Sequence, residues 1–183
     1  MGNQVATLTP EKVKELEEKT HFDEKEIKLL LQRYANYDTS PNGSGGIPID
    51  VLLNSPELSG SPFARRLTWS YLKDGKRKIH PESYLLLLSV LSSKATFQEK
   101  SKALFQSLDI HNEGHVRFDE FFRLFKSIFN PALSDAQIVA FVQRVLQRDD
   151  LDEKGIMGYQ DFIKFVRPQE LHEKMTIDLR LST

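Results

Sequence analysis

The sequence predicts an all-α protein of two lobes, each built from a pair of helix–loop–helix units. Two observations lead to this fold class. Amphipathic stretches recur along the 183 residues and are separated by polar loops. One hydrophobic residue per loop recurs at intervals of roughly 30 to 40 residues, the length of one helix–loop–helix unit. These residues are Ile47, Ile79, Val116 and Met157. Because a lone unit cannot cover its apolar helix faces, we expect the units to pair.

Helix starts are specified by capping residues. Pro10 follows Thr9 at the first helical position, where the missing N–H of proline costs nothing. Asp23 and Glu26 have capping-box spacing, so a second helix is predicted to begin there. The apolar face of that helix carries Ile27, Leu30, Leu31 and Tyr34. Further helix starts are predicted at Ser55-Pro56 and at Ser134, which forms a capping box with Gln137.

A short polar stretch from Ser92 to Thr96 divides the chain into lobes. We therefore predict an N-terminal lobe over residues 1–94, a C-terminal lobe over residues 95–167 and a tail over residues 168–183. The apolar residues of the tail are Leu171, Met175, Ile177 and Leu179. They favour docking of the tail on another part of the protein.

Composition limits the class of protein. Hydrophobic residues make up 39% and charged residues 28% of the chain, as in soluble globular proteins, and no run approaches the ~20 apolar residues of a membrane span. The chain has no cysteine, which excludes disulfides and favours a cytoplasmic location. A net charge of −1 disfavours nucleic acid as a partner, because phosphate binding needs a basic surface. No sequence motif of a catalytic centre is found, so no enzymatic activity is expected.

The third loop, from Asp109 to Glu120, matches the calcium-loop template D-x-[DN]-x-[DN]-G-x₅-E most closely. Asp109, Glu113 and Glu120 occupy its positions 1, 5 and 12. His111 stands at position 3, where an imidazole suits calcium poorly, and Arg117 at position 9 is expected to point away from any ion. This is an EF-hand frame with altered ligands, for which weak calcium binding is expected at most.

The fourth loop, from Asp150 to Asp161, has a similar mixture of retained and lost ligands. Asp150, Asp152 and Asp161 stand at positions 1, 3 and 12. Lys154 at position 5 must turn out of the loop because its charge would repel a divalent ion. Since the shorter Asp161 replaces the usual Glu, residual binding would be weak and would tilt towards magnesium.

The first two loops are expected not to bind ions. The first begins with Asp38 but reaches Val51 where the last carboxylate belongs. The second, from Leu72 to Ser83, has lost most ligands and gained the basic run Lys73–Lys78. This run is interpreted as a solvated turn, with a site for an anionic partner as the alternative.

Two further patterns allow alternative interpretations. His111 and His115 are four residues apart and could bind zinc with Asp109, although solvated histidines are the simpler interpretation. An aromatic-rich helix follows the third loop and carries more apolar surface than one small lobe can bury. Its candidate partner-groove residues are Phe121, Phe122, Phe125, Ile128 and Phe129.

Together these features resemble the calcineurin B-like group of EF-hand proteins. The resemblance covers nearly the whole chain and lies most specifically in a few segments. These are Met1-Gly2-Asn3, the stretch from His21 to Ile27, Ser55-Pro56-Glu57-Leu58, and Glu173-Lys174-Met175 with Ile177. The resemblance implies a non-catalytic regulatory subunit that holds an amphipathic helix of a target in a hydrophobic groove. The target would be a phosphatase, a transporter, a kinase or a similar protein.

The resemblance also implies N-terminal acylation. Gly2 would be the acylated residue, although Ala6 stands where the group usually has serine. A single acyl chain would give reversible membrane association.

Because the ligand positions are eroded, we expect a regulatory or adaptor subunit with weak or absent calcium binding. One alternative is a true calcium sensor that uses the third loop, with or without the fourth. Another is a structural component of a cytoskeletal or ciliary assembly, in which the EF-hand frame serves only for packing.

Overall fold

In the computed structural model of the chain, residues 9–40, 45–61, 63–72 and 77–181 are described. They form ten α-helices and four two-residue β-strands. The helices are α1 (Pro10–Lys19), α2 (Glu24–Tyr37), α3 (Ile49–Leu53), α4 (Ala64–Ser70), α5 (Pro81–Leu91), α6 (Phe97–Leu108), α7 (Phe118–Phe129), α8 (Asp135–Leu146), α9 (Tyr159–Phe165) and α10 (Pro168–Met175). The strands are β1 (Ile47–Pro48), β2 (Lys78–Ile79), β3 (His115–Val116) and β4 (Met157–Gly158). The predicted all-α class is confirmed. No helix in the described ranges is long and apolar enough to cross a membrane.

The four strands join the loops in pairs. β1 pairs antiparallel with β2, with Ile47 opposite Ile79. β3 pairs antiparallel with β4, with Val116 opposite Met157. All four of these side chains are fully buried. The predicted repeat of one apolar pairing residue per loop is therefore confirmed.

Three predicted caps are present. The Thr9 hydroxyl accepts a hydrogen bond at the start of α1. The capping boxes of Asp23 with Glu26 and of Ser134 with Gln137 start α2 and α8. These caps satisfy amides that have no partner within their helices.

The predicted helix start at Ser55-Pro56 is wrong. The Ser55 carbonyl accepts a hydrogen bond from the amide of Ser59 at 2.9 Å, but only turns follow, and α4 begins at Ala64. Gly60 disfavours a helix because it loses the most backbone entropy when it is ordered. The proline at position 62 of the sequence also disfavours helical geometry in the residue before it.

The chain divides into two compact units. Unit 1 comprises Met1–Thr96 together with Met175–Thr183, and unit 2 comprises Phe97–Lys174. The stretch predicted as a tail, residues 168–183, is thus shared between the units. Its first part forms most of α10, and its last part packs with unit 1.

Each unit has its own aromatic core. In unit 1, Tyr34 and Tyr84 meet edge to face with ring centroids 5.5 Å apart. In unit 2, Phe105 contacts Tyr159 and Phe162 at centroid distances of 5.4 and 5.5 Å. These contacts fix the helices from which the loops project.

Candidate functional site

The first carboxylate of loop three (residues 109–120) organises the loop backbone. Asp109 is buried and accepts hydrogen bonds from the amides of Glu113 (2.9 Å) and Gly114 (2.8 Å). Gly114 has φ +78°, a conformation that residues with a side chain rarely adopt. The turn at the glycine of the loop template is therefore built around the Asp109 carboxylate.

Glu120 closes loop three from its other end. Its side chain is 1% exposed, and its two oxygens accept hydrogen bonds from the amides of Ile110 (3.0 Å) and Arg117 (2.9 Å). The second bond also caps the start of α7. Glu120 therefore stabilises the loop through backbone amides.

The basic residue of loop three, Arg117, pairs with a carboxylate of the same loop. Its Nε donates a hydrogen bond to the Glu113 carboxylate at 3.0 Å. His115 Nε2 lies 3.2 Å from the same carboxylate, whereas His111 is exposed. A carboxylate at ligand position 5 therefore faces a cation of the chain itself.

Loop four (residues 150–161) is also paired with a cation of the chain, Lys164 of α9. Asp161 is 3% exposed and accepts hydrogen bonds from the Asp152 amide (3.2 Å) and from Lys164 Nζ (3.1 Å). Lys164 Nζ also lies 3.8 Å from a carboxylate oxygen of Asp152. The hydrogen bond to Asp161 and the nearby acidic charges raise the pKa of Lys164.

Two further charged residues of loop four, Asp150 and Lys154, are also paired. Arg148 donates two hydrogen bonds to the Asp150 carboxylate, one of them from Nε at 2.8 Å, and this pairing lowers the pKa of Asp150. Lys154 turns to Asp149, outside the loop, with Nζ 2.8 Å from the carboxylate. The outward turn predicted for Lys154 is therefore confirmed.

In their observed arrangement these side chains do not fit calcium, which needs six to eight oxygen ligands around one point. Within the described ranges, no three Asp, Glu, His or Cys side chains gather as a metal-binding group. Glu113 and Asp161 instead face Arg117 and Lys164.

Loop one, in unit 1, keeps a single organising carboxylate. Asp38 is buried and accepts hydrogen bonds from the amides of Ser40 and Gly46, each at 3.0 Å. Val51, at the place of the last ligand, is 42% exposed. Residues 41–44 of this loop and residues 73–76 of loop two, which include most of the basic run, lie outside the described residues.

Helices α7 and α8 carry an aromatic surface, defined here as Phe122, Phe125, Ile128, Phe129 and Phe141. The Phe125 ring stacks on Phe129 with centroids 5.9 Å apart and meets Phe141 edge to face at 4.9 Å. Phe129 and Phe141 are 38% and 40% exposed, and the other three are half-buried. Phe121, the fifth residue predicted for the groove, is 1% exposed and lies in the core.

In unit 1, the end of the chain packs as an extended segment. The Ile177 amide donates a hydrogen bond to the Leu91 carbonyl at 3.0 Å. Arg33 donates to the carbonyls of Leu179 and Arg180. The buried side chains of the segment are Met175, Ile177 and Leu179. The docking expected of these tail residues is present in unit 1.

Helices joined by strand-paired loops, with buried acidic residues at the loop ends, define an EF-hand protein. No protein-family model matches the chain. Calcineurin B of Naegleria gruberi is 31% identical over 179 residues, which are 98% of this chain and 100% of that protein. Type 1 calcineurin B of Dictyostelium discoideum is 29% identical over 97% of this chain and 98% of that protein. Type 2 calcineurin B of Homo sapiens is 27% identical over 86% of this chain and 92% of that protein. The chain belongs to the calcineurin B-like family.

Sequence reasoning missed three residues of these sites. Phe141 follows Ile138 by three residues, so its place beside the buried stripe of α8 was readable from helical spacing. Arg148 and Lys164 lie outside the loop template, before position 1 and after position 12. The loop template therefore gives no indication that these two residues pair with loop carboxylates.

Proposed function

We propose that the protein is a non-catalytic regulatory or adaptor subunit that binds an amphipathic helix of a larger protein and does not require calcium to do so. Its family membership favours a phosphatase catalytic subunit as the partner. The observation that carries the proposal is the aromatic surface, where the partly exposed rings of Phe129 and Phe141 both contact Phe125.

An amphipathic helix is the occupant whose chemistry suits this surface. Helix-in-groove recognition uses apolar anchors at helical spacing, and aromatic side chains dominate such interfaces. Charged groups lie beside the rings: Lys126 Nζ lies 5.6 Å from the Phe122 ring centroid and 2.7 Å from the Asp135 carboxylate. An apolar centre with a polar rim is typical of a binding surface.

The contacts within the loops support independence from calcium. A calcium switch requires an ion that biases a helix pair between closed and open arrangements. Here the carboxylates of loops three and four are already paired with amides and cations of the chain. These contacts support the proposal that unit 2 holds its helices without an ion.

The test is co-expression with a calcineurin catalytic subunit, with complex formation followed by size-exclusion chromatography and affinity measured by calorimetry in EGTA and in calcium. A complex that forms in EGTA is expected. Replacing Phe129 and Phe141 together by Ser should weaken it by about 10- to 30-fold, because exposed aromatic anchors dominate such interfaces.

The matched control is Ile110→Ser, which removes a side chain that is 43% exposed in the same unit but lies in loop three. It should leave the affinity unchanged. A complex that forms only with calcium would favour the sensor alternative, and equal affinities for both variants would contradict the assigned surface.

A further part of the proposal concerns location. We propose a cytoplasmic protein that associates reversibly with membranes through an acyl chain on Gly2, a residue outside the described ranges. Intact-mass measurement of the protein made in eukaryotic cells tests this. A Gly2→Ala variant should lose both the added acyl mass and the membrane-bound fraction.

A further inference from the structure

Lys164 occupies a place that the loop template does not assign. It lies on α9, three residues after the last ligand position of loop four. Its Nζ reaches back to Asp161 at 3.1 Å and to Asp152 at 3.8 Å. These two carboxylates belong to ligand positions 12 and 3, which a divalent ion would bridge.

The charges around this contact are balanced. A shallow pocket beside the loop is lined by Arg148, Asp150, Asp161 and Lys164, together with Leu151, Met157 and Phe165. Its two carboxylates face two cations, with Arg148 on Asp150 and Lys164 on Asp161. A divalent ion would therefore have to enter against two positive charges that already use its ligands.

Because Asp161 is buried, the charge that pairs with it matters for stability. The Asp161 side chain is 3% exposed, whereas that of Lys164 is 57% exposed. A compensating charge stabilises a carboxylate at a buried position, and the exposure of the lysine keeps this gain to that of a surface ion pair. The Lys164 side chain, which is largely exposed, places its ammonium group against the buried Asp161 carboxylate at the end of loop four.

We propose that the Lys164 ammonium is a built-in counter-ion that takes the place of a divalent cation between positions 3 and 12 of loop four. The inference rests on the ion independence in the proposed function and gives its structural cause. The contact of Arg117 with Glu113 provides a parallel internal pair in loop three.

The first experiment measures calcium affinity by calorimetry in the full chain after position 5 has been given a carboxylate. Lys154→Asp is compared with the double variant Lys154→Asp/Lys164→Met. Removing one positive charge about 5 Å from the ion should tighten calcium binding on the order of tenfold, using the high effective dielectric suited to an exposed side chain. Equal affinities would overturn the proposal.

The matched control is Lys154→Asp/Lys126→Met, which removes the same charge from the same unit. Lys126 pairs with Asp135 on α8 at 2.7 Å, away from both loops, and its side chain is 45% exposed. Its loss should leave the calcium affinity of Lys154→Asp unchanged. If Lys126→Met increased calcium affinity as much as Lys164→Met does, the effect would arise from net charge alone, and the proposal would be overturned.

The second experiment compares thermal unfolding in EGTA and in calcium. Lys164→Met alone should lower the Tm in EGTA by roughly 1–3 °C, the scale of one ion pair in a chain of this size. Millimolar calcium should recover part of this loss, whereas Lys126→Met should melt alike in both buffers. An unchanged Tm for Lys164→Met would overturn the proposal.

The wild-type chain separates failure of this inference from failure of the proposed function. Micromolar calcium binding by the wild type would overturn the ion independence and the counter-ion together. A wild type that ignores calcium, combined with no effect of Lys164→Met on affinity or Tm, would overturn only the counter-ion.

Discussion

Units 1 and 2 contain the same paired-loop frame but treat its charges differently. In loop one the place of the last ligand holds Val51, which is 42% exposed, and Asp38 alone organises the described backbone. In loop three that place holds Glu120, which is 1% exposed and accepts hydrogen bonds from two backbone amides. Each loop still contains a strand with one buried apolar residue that pairs with a buried residue of the neighbouring loop, Ile47 with Ile79 and Val116 with Met157. The paired-loop frame therefore depends on the apolar pairing residues. The acidic residues at ligand positions can be lost, or can form hydrogen bonds and ion pairs within the chain instead of binding an ion.

The largest expected effect is on stability, from substitutions at the last ligand position of loops one and three. Glu120→Ala should lower the free energy of unfolding by about 2–4 kcal/mol, because it leaves two amides without partners and removes the cap of α7. Val51→Ala, at the matching place in unit 1, should cost less than about 0.5 kcal/mol because its side chain is exposed. Chemical denaturation in EGTA measures both. Equal effects would remove the contrast between the units.

The glycines with positive φ provide a second comparison. Gly46→Ala in loop one should cost about 2–3 kcal/mol, because its φ is +82° and the added Cβ would lie 3.1 Å from the Lys78 Cβ and 3.2 Å from the Ile79 carbonyl. Gly114 in loop three has φ +78°, but a Cβ added there would meet no atom within 4 Å. Gly114→Ala should therefore cost about 1 kcal/mol. Thermal unfolding of both variants checks the order. A larger cost at Gly114 would contradict it.

The units should also respond to pH in opposite directions. Burial lowers the pKa of Lys100, in unit 2, from 10.5 to about 8. Between pH 8 and 10 the unfolded state therefore binds more protons, and the stability of unit 2 should rise by about 1–2 kcal/mol. In unit 1, burial raises the pKa of Tyr34 and Tyr84 above 10. Because the unfolded phenols lose their protons first, unit 1 should lose stability above pH 10.

Hydrogen exchange resolved by peptide can follow each unit separately, and Trp69, the only tryptophan of the chain, reports on unit 1. Lys100→Met should abolish the rise of unit 2 between pH 8 and 10. A rise that persists in this variant would assign the effect to another group.

The smallest expected effect concerns the extended end of the chain. Arg33→Met removes the donors to the carbonyls of Leu179 and Arg180 and should speed amide exchange at Ile177 by about tenfold. Lys28→Met is the control, because Lys28 lies on the same helix and pairs with Glu24 one turn away. Equal exchange in both variants would show that the segment is held by its apolar side chains alone.

Patterns within one element were predicted well from the sequence. The capping box of Asp23 with Glu26 and the buried face of α2 depend on neighbours three or four residues apart. The apolar pairing residues, such as Ile47 and Ile79, follow from the repeat. The error at Ser55 arose because a proline after serine indicates a first turn but not whether a helix continues.

The sequence by itself determined the all-α class, the four-loop repeat, the family and the erosion of the ligand positions, because these depend on residue type and spacing along the chain. Only the tertiary structure decided how the remaining charges are used. Arg117 pairs with Glu113, Lys164 returns to Asp161, and Phe141 joins Phe125, because side-chain direction and the approach of separate helices select each partner. A loop template counts ligands, whereas the folded chain also brings in cations from outside that template.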